Sequence, residues 1–291
     1  MIAAGIVLFN PNVLRLKESI KAVENQVDEI ILLDNGSNNI EEIKKILYSK
    51  SHIKLIDLGK NTGIANGLNK IAIQAIKDSN KWLLTLDQDS VVNANLIKVY
   101  KKYMQLPRIG QLTCLYKDRN RDTEKIYGNK KRIFENKKVI QSKYAITSGS
   151  LINLTALKEV GGFDSSFFID WVDMEICCAL RNKKYETYQI NYVGFLHELG
   201  NPTPINFLGF KSYTSNYPAF RYYYGARNSI EVALRYPKEE NLFIRLLIQL
   251  KLVGKINFYE KNKIKKSKAI FKGIKDGLKN GKTIRKNYIN V

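Results

Sequence analysis

Cysteine is scarce in this chain of 291 residues: there are three, Cys114, Cys177 and Cys178, the last two adjacent. An odd count without paired spacing excludes a disulfide framework and a zinc finger, and it points to a reducing, cytoplasmic compartment. Long apolar runs are also missing. No stretch reaches the ~18 uninterrupted apolar residues of a membrane span. The opening MIAAGIVLFNP is apolar but has no basic leader, and Asn10-Pro11 cuts it short. It reads as a first strand, not a signal peptide. The pattern G-x-G-x-x-G does not follow that strand, which argues against a dinucleotide oxidoreductase. Repeats and Gly/Ser linkers are absent. Acids are the remaining shortage, 27 against 48 Lys and Arg, for a formal charge of +21.

That charge is uneven. Residues 241–291 hold 14 Lys and Arg against Glu260 and Asp276, and so carry +12 of the +21. A basic tail on a milder body fits an anionic surface. The lysines lack interleaved aromatics and no recognised binding module accompanies them, so nucleic acid is not the expected partner. A hydrophobic content of 44% allows a sizeable core.

The first hundred residues alternate strand-like and helix-like segments. Apolar runs at 2–9, 29–37 (ending in Asp34-Asn35-Gly36-Ser37), 53–59 and 82–86 read as strands, with helical patterns at 13–24 and 41–50 and after the loop at 61–63. Such alternation implies βαβ units and a mostly parallel sheet, whose ligands bind beyond the carboxyl ends of the strands. Asn10, Asp34, Asn61, Asp87 and Asp89 fall at or just after strand ends and should share one rim. Further on, Arg119–Lys138 reads as a polar surface excursion, and 144–154 as a strand interrupted by Ser148-Gly149-Ser150. A helix is expected over Val172–Asn182, and helical spacing returns in the tail.

The stretch KWLLTLDQDSVV (81–92) ends an apolar strand in two acids. In extended backbone, residues i and i+2 face one side, so Asp87 and Asp89 would converge. Two hard oxygen ligands suit a divalent cation that also holds phosphates. A solvated turn with an Asx cap accounts for the same residues.

Taken in order, Asp34-Asn35-Gly36-Ser37, Asn61-x-Gly63-x-x-Asn66-Gly67 and Asp87-x-Asp89 at three strand ends resemble family 2 of the GT-A glycosyltransferases. The resemblance runs from about Ile2 to Asn228 and includes GGFDSSFFIDWVDMEICCALRN (161–182), which looks like the family's catalytic-acid segment. It implies a GT-A type nucleotide-diphospho-sugar transferase fold over 1–240. Within it, 1–100 would be the nucleotide-binding half and 101–240 the acceptor and catalytic half. A basic amphipathic helical extension would follow at 241–291. Asp34, with Phe9, Asn10, Asn35, Asn61 and Gly63 around it, would bind the base and ribose. Asp87 would contact the ribose or the metal's water shell, and Asp89 would ligate Mn²⁺ or Mg²⁺. Asp173 would be the general base of an inverting transfer. Apart from the resemblance, Asp173 is equally an N-terminal helix acid favoured by the macrodipole. Val172 stands where the family has Glu, which leaves that acid's role unfilled, with Asp170 and Trp171 close by.

GFLHELG (194–200) and RYYYGARN (221–228) resemble the rhamnosyltransferase-like branch, which typically uses dTDP-L-rhamnose. Related members transfer other hexoses, so a UDP-sugar is the alternative donor. His197 is a third metal ligand, a phosphate contact, or a packed residue. Arg227 either clamps the diphosphate or pairs with Glu231 one turn on. Ser148 and Gly149 line the sugar pocket or form a strand bulge. A different class remains: LLTLDQDSVV also satisfies the haloacid-dehalogenase-like pattern, with Asp87 as a phosphoryl acceptor. Against it, three strand ends precede the motif, where that pattern normally opens a domain. For the glycosyltransferase, the resemblance implies a glycan or lipid-linked glycan acceptor in cell-surface polysaccharide synthesis. The basic tail then suggests peripheral attachment to the anionic inner face of the cell membrane. A homodimer is compatible with the sequence.

Overall fold

In the computed structural model, which describes residues 1–48, 50, 52–119, 134, 136–198, 203–207, 209–281 and 285–289, the opening apolar run forms β1 (Ile2–Leu8) with every residue buried. β1 pairs in parallel with β2 (Glu29–Asp34) on one edge and with β4 (Trp82–Asp87) on the other, and β2 pairs in parallel with β3 (Ile53–Asp57). Helices α1 (Val13–Val23), α2 (Ile40–Leu47) and α3 (Ile64–Lys77) alternate with them, as the periodicity predicts. Strands flanked by helices are covered on both faces, which is why β1, β2 and β4 are near-continuous apolar runs. Asn12 starts α1, its Oδ1 accepting the N–H groups of Leu14 at 3.0 Å and Arg15 at 3.2 Å.

The sheet continues through β5 (Val91–Val92), β6 (Ile109–Asp118), β7 (Val139–Gln141), β8 (Ser150–Asn153) and β9 (Glu186–His197). Among the described residues it has nine strands in the order β3-β2-β1-β4-β8-β6-β9-β5, with β7 also on β9. β8 runs antiparallel between β4 and β6, while β6 and β9 are parallel. Helices α4 (Leu96–Lys101), α5 (Leu154–Glu159) and α6 (Val172–Asn182) complete this part. The expected strand over 144–154 is shorter than predicted. Only Ser150–Asn153 is extended, because Gly149 turns the chain at φ +74° and the Asn153 side chain caps α5. The expected polar excursion at 119–138 lies mostly outside the described residues.

The chain forms two compact units. The first comprises Met1–Ser166, Val172–Leu199 and Asn287–Val291; the second comprises Phe167–Trp171 and Gly200–Lys286. In the first, Tyr288 donates its N–H to the Gly161 carbonyl and its hydroxyl to Asp164 Oδ1, both at 2.8 Å. The second holds the antiparallel hairpin β10 (Thr203–Phe207) and β11 (Phe210–Thr214), with helices α7 (Ala219–Arg235), α8 (Leu242–Tyr259) and α9 (Lys263–Asn280). The boundary expected at 240/241 is thus not where the contacts divide, because α7 groups with the tail helices.

Glycine is the reason for that grouping. A Cβ on Gly273 would lie 2.4 Å from the Tyr223 carbonyl oxygen, and one on Gly277 2.7 Å from that of Arg227. Only residues without a side chain let α9 approach the α7 backbone this closely. A buried polar cluster closes the α8–α9 turn. Glu260 Oε1 accepts from the Tyr222 hydroxyl at 2.6 Å, the Asn216 N–H at 3.2 Å and the Thr214 hydroxyl, while Oε2 accepts from Lys266 Nζ at 2.8 Å. Burial pushes the Glu260 carboxyl up, but hydrogen bonds from Lys266, Thr214 and Tyr222 outweigh it and hold the carboxyl below its ordinary range.

Gly225, on α7, has room for a Cβ, with Asp170 Oδ2 3.8 Å away. Gly225→Ala is expected to gain about 0.5–1 kcal/mol from helix propensity. Gly273→Ala reverses the sign and costs about 1–3 kcal/mol through overpacking. Denaturant unfolding reads both, and a stabilised Gly273→Ala would refute the close crossing. Glu260→Gln leaves Lys266 charged and buried, at a cost of roughly 3–5 kcal/mol near neutral pH. A carboxylate with a lowered folded pKa contributes stability above its unfolded value, 4.5, and loses it as pH falls through the folded value. The gap between wild type and Glu260→Gln should therefore narrow on acidification below that value; a gap independent of pH would contradict the ion pair.

Candidate functional site

The strand registers assemble the rim. Leu8 lies opposite Asp34, and Val7 opposite Asp87, so the carboxyl ends of β1, β2 and β4 finish together. Asp34 is 1% exposed. Its Oδ2 accepts the N–H groups of Gly36 and Ser37, each at 2.9 Å, while its Oδ1 is buried with no hydrogen-bond partner among the described residues. A buried carboxylate oxygen without a donor is costly, and it marks a place for one. Asn10, held at φ +48°, donates its N–H to Ser37 Oγ at 2.8 Å and accepts the Asn38 N–H on Oδ1 at 2.8 Å. The backbone of Phe9 is fastened to Gln88, which accepts its N–H at 2.9 Å, and the ring remains 46% exposed.

Asn35 and Asn61 bind each other. Asn35 Nδ2 donates to Asn61 Oδ1 at 3.1 Å and to the Gly63 carbonyl at 3.3 Å, and Asn35 Oδ1 accepts the Thr62 N–H at 2.9 Å. Asn61 Oδ1 also accepts the Gly63 N–H at 3.0 Å. These two side chains knit the loop after β2 to the loop before α3. Gly63, at φ +86°, starts that helix.

Asp87 ends β4, but Gln88 and Asp89 are in a turn. Strand alternation is therefore not what brings the acids together; the turn folds Asp89 back. Asp87, Asp89 and His197 each offer a ligand atom, all within 4.8 Å of one another. His197 comes from the end of β9, and its Nδ1 lies 3.7 Å from Asp87 Oδ2. Two serines hold the arrangement. Ser90 Oγ is 3.2 Å from His197 Nδ1 and 2.8 Å from Ser148 Oγ, which in turn accepts the Asp87 N–H at 3.1 Å. The rings of Tyr116 and Phe195 meet the imidazole edge-on at 5.5 and 6.1 Å.

Electrostatics favour a cation here. Burial pushes the Asp87 carboxyl above its ordinary range; His197 pulls it down and Asp89 pushes it up again. Asp89 is likewise raised, first by burial, with His197 opposing. Its Oδ1 is buried without a hydrogen-bond partner. Two carboxylates and an imidazole in this state fit a divalent ion, with the nitrogen suiting Mn²⁺ better than Mg²⁺.

Gly149 has a tight place beside this network. A Cβ there would sit 2.2 Å from the Phe195 ring, and its N–H donates to the Thr85 carbonyl at 2.8 Å. Ser90 is the residue that sequence reasoning missed. Nothing local distinguishes it, since its partner lies 107 positions away.

Asp173 is in the first turn of α6, partly buried, with Oδ1 accepting the Met174 N–H at 2.9 Å. Val172, at the position of the missing acid, is buried at 5% exposure. Cys177, on the same helix, has its thiol pushed up to about 11 by burial, so it is inert. Asp170, Trp171 and Arg227 belong to the second unit. Asp170 and Trp171 have φ +62° and +67°, and Asp170 is gripped by Arg221 at 3.0 Å. Trp171 lies under the Arg245 guanidinium at 4.7 Å. Arg227 takes the local option: its Nε is 3.4 Å from Glu231 and donates to Asn228 Oδ1 at 2.9 Å, and the guanidinium stacks over Tyr224 at 4.9 Å.

Comparison with known proteins bears on the family and the fold. The chain is 26% identical over 208 residues to the dTDP-rhamnosyl transferase RfbF of Shigella flexneri, covering 69% of this chain and 70% of that protein. The structure of S. aureus TarS 1-349 in complex with UDP-GlcNAc shares the fold at a TM-score of 0.61 and 11% identity, over 96% of this chain and 81% of that one. The UDP complex of the same protein gives 0.57 at 11% identity, over 89% and 72%. Residues 5–161 match the model of glycosyl transferase family 2. That match spans more than half of the chain, sets aside the phosphatase reading of Asp87, and makes this protein a glycosyltransferase of family 2.

Proposed function

We propose that the protein moves L-rhamnose from dTDP-L-rhamnose to a hydroxyl of a growing, lipid-linked cell-surface glycan, with inversion at the anomeric carbon. The observation that carries the reading is the convergence of Asp87, Asp89 and His197 on the rim that also holds the unpartnered oxygen of Asp34. Similarity to RfbF, a dTDP-rhamnosyl transferase, supports the donor.

In this reading Asp34 Oδ1 accepts a hydrogen bond from the base or ribose, and the exposed Phe9 ring lies against the base. Asn35, Asn61 and Gly63 shape the loop behind it. Asp87, Asp89 and His197 hold Mn²⁺ or Mg²⁺, which when bound neutralises the diphosphate and acts as a Lewis acid. Ser90 and Ser148 keep the imidazole turned toward the acids. Asp173 accepts the proton of the acceptor hydroxyl as that oxygen bonds to the anomeric carbon and the bond to the diphosphate breaks, releasing dTDP. Attack opposite the leaving group inverts the centre. Arg227, paired with Glu231, serves packing rather than the diphosphate. A lipid-linked acceptor would put the reaction at the inner face of the cell membrane. A UDP-sugar donor is the second reading, favoured by a fold shared with a protein solved with UDP-GlcNAc.

Nucleoside diphosphate release tests the proposal, with dTDP-L-rhamnose compared against UDP-glucose, UDP-galactose and GDP-mannose, each with Mn²⁺, Mg²⁺ or EDTA. Release from dTDP-rhamnose is expected to require metal and to fall roughly 10²–10³-fold in Asp89→Asn, the size of losing one group that stabilises developing charge. Release from a UDP-sugar alone would discard rhamnose, and release untouched by EDTA would discard the metal. Ser90→Ala should weaken Mn²⁺ binding roughly 10–100-fold, as loss of an outer hydrogen bond to a ligand does, while melting close to wild type. An unchanged Mn²⁺ Kd would remove Ser90 from the site.

A further inference from the structure

The second unit presents a face that the transfer reaction does not use. Helix α8 contains no Asp or Glu, and is apolar nearly all round. Its inner side, at Gln249 and Ile256, is buried. On the outer arc Phe243, Ile244, Leu247, Ile248 and Leu250 are all exposed, Phe243 at 68%. Lys251 and Lys255 continue that arc toward the C-terminus, and the Lys255 ammonium is pushed below its ordinary range by burial and by Lys251.

Helix α9 has the same two-sided construction. Lys266, Ile270, Gly273 and Gly277 are buried on its inner face. Opposite them, Lys265, Lys268, Lys272, Lys275 and Lys279 are exposed at spacings of three and four, which places them in one row. Ile264, Phe271 and Leu278 recur every seven residues and form an exposed apolar stripe beside it. Among the described residues no helix is long and apolar enough to cross a membrane.

We infer that the outward faces of α8 and α9 dock this protein on an anionic lipid bilayer, lying in the interface without spanning it. Charge and apolar surface together select the occupant. A second copy of the chain would set lysine rows against lysine rows, which repel. A polyanion such as nucleic acid would satisfy the lysines but leave the Phe243–Leu250 surface in water. A bilayer with anionic headgroups accepts both, with the apolar side chains at the acyl boundary and the lysine stems reaching back to the phosphates. The inference is independent of which sugar is transferred.

Co-sedimentation of the full chain with vesicles tests it, using phosphatidylcholine alone and phosphatidylcholine mixed with phosphatidylglycerol. Binding is expected only to the mixed vesicles and should fall as salt rises. Each lysine near an anionic surface contributes about fivefold in affinity, so Lys268→Gln/Lys272→Gln/Lys275→Gln should lose roughly a hundredfold. Leu247→Ser/Ile248→Ser should also weaken binding, and both variants should keep donor hydrolysis in solution. Equal binding to neutral vesicles would overturn the proposal, as would binding indifferent to both variants. So would lipid-free self-association that Leu247→Ser/Ile248→Ser abolishes, which would assign the face to a second copy.

Discussion

Parallel pairing of β1 on both of its edges is the constraint from which the rim follows. Once Leu8 is opposite Asp34 and Val7 opposite Asp87, the ends of three strands cannot separate without breaking two ladders at the most buried place in the sheet. Asn10, Asp34 and Asp87 are then neighbours by geometry. The loops beyond the strands add their own ties, Asn10 to Ser37, Phe9 to Gln88 and Asn35 to Asn61. The rim's loops are thus held by the protein's own hydrogen bonds as well as by the ladders.

Opposite signs of charge are used in opposite ways in the two units. In the first, a basic chain gathers Asp87 and Asp89 within reach of His197, in surroundings that raise both carboxyls. Such a pair is unfavourable alone and favourable around a cation. In the second, cations are the majority. Those that are buried or packed have found partners: Lys266 with Glu260, Arg221 with Asp170, and Arg227 and Arg235 with Glu231. The surplus lysines of α9 are turned to solvent on one face. Segregation of this kind keeps the charges paired inside the unit apart from the exposed lysine row.

Much of the fold was legible in local pattern. Apolar runs bounded by Asn, Asp and Gly marked β1, β2, β3 and β4. A helical pattern marked α6 over Val172–Asn182, and helical spacing marked the second tail helix, α9. Acids at strand ends, taken in order, pointed to the family. Local pattern misled where a single residue overrode it. Residues 144–147, expected as strand before the Ser-Gly-Ser interruption, are not extended into the sheet, and the turn at Gln88 replaced the extended backbone assumed for Asp89.

The sequence by itself therefore determined the alternation of strands and helices, the positions of Asp34, Asp87 and Asp89 at strand ends, and the cationic character of the tail. Each of these is a property of residues within one or two turns of each other. Tertiary structure alone decided that His197 joins the acids through Ser90 and that α7 belongs with α9. Ser90 and His197 are 107 residues apart, and the crossing of α7 and α9 depends on two glycines meeting backbone from another helix. No local periodicity carries information about such pairs, because the chain must fold before either partner has a neighbour.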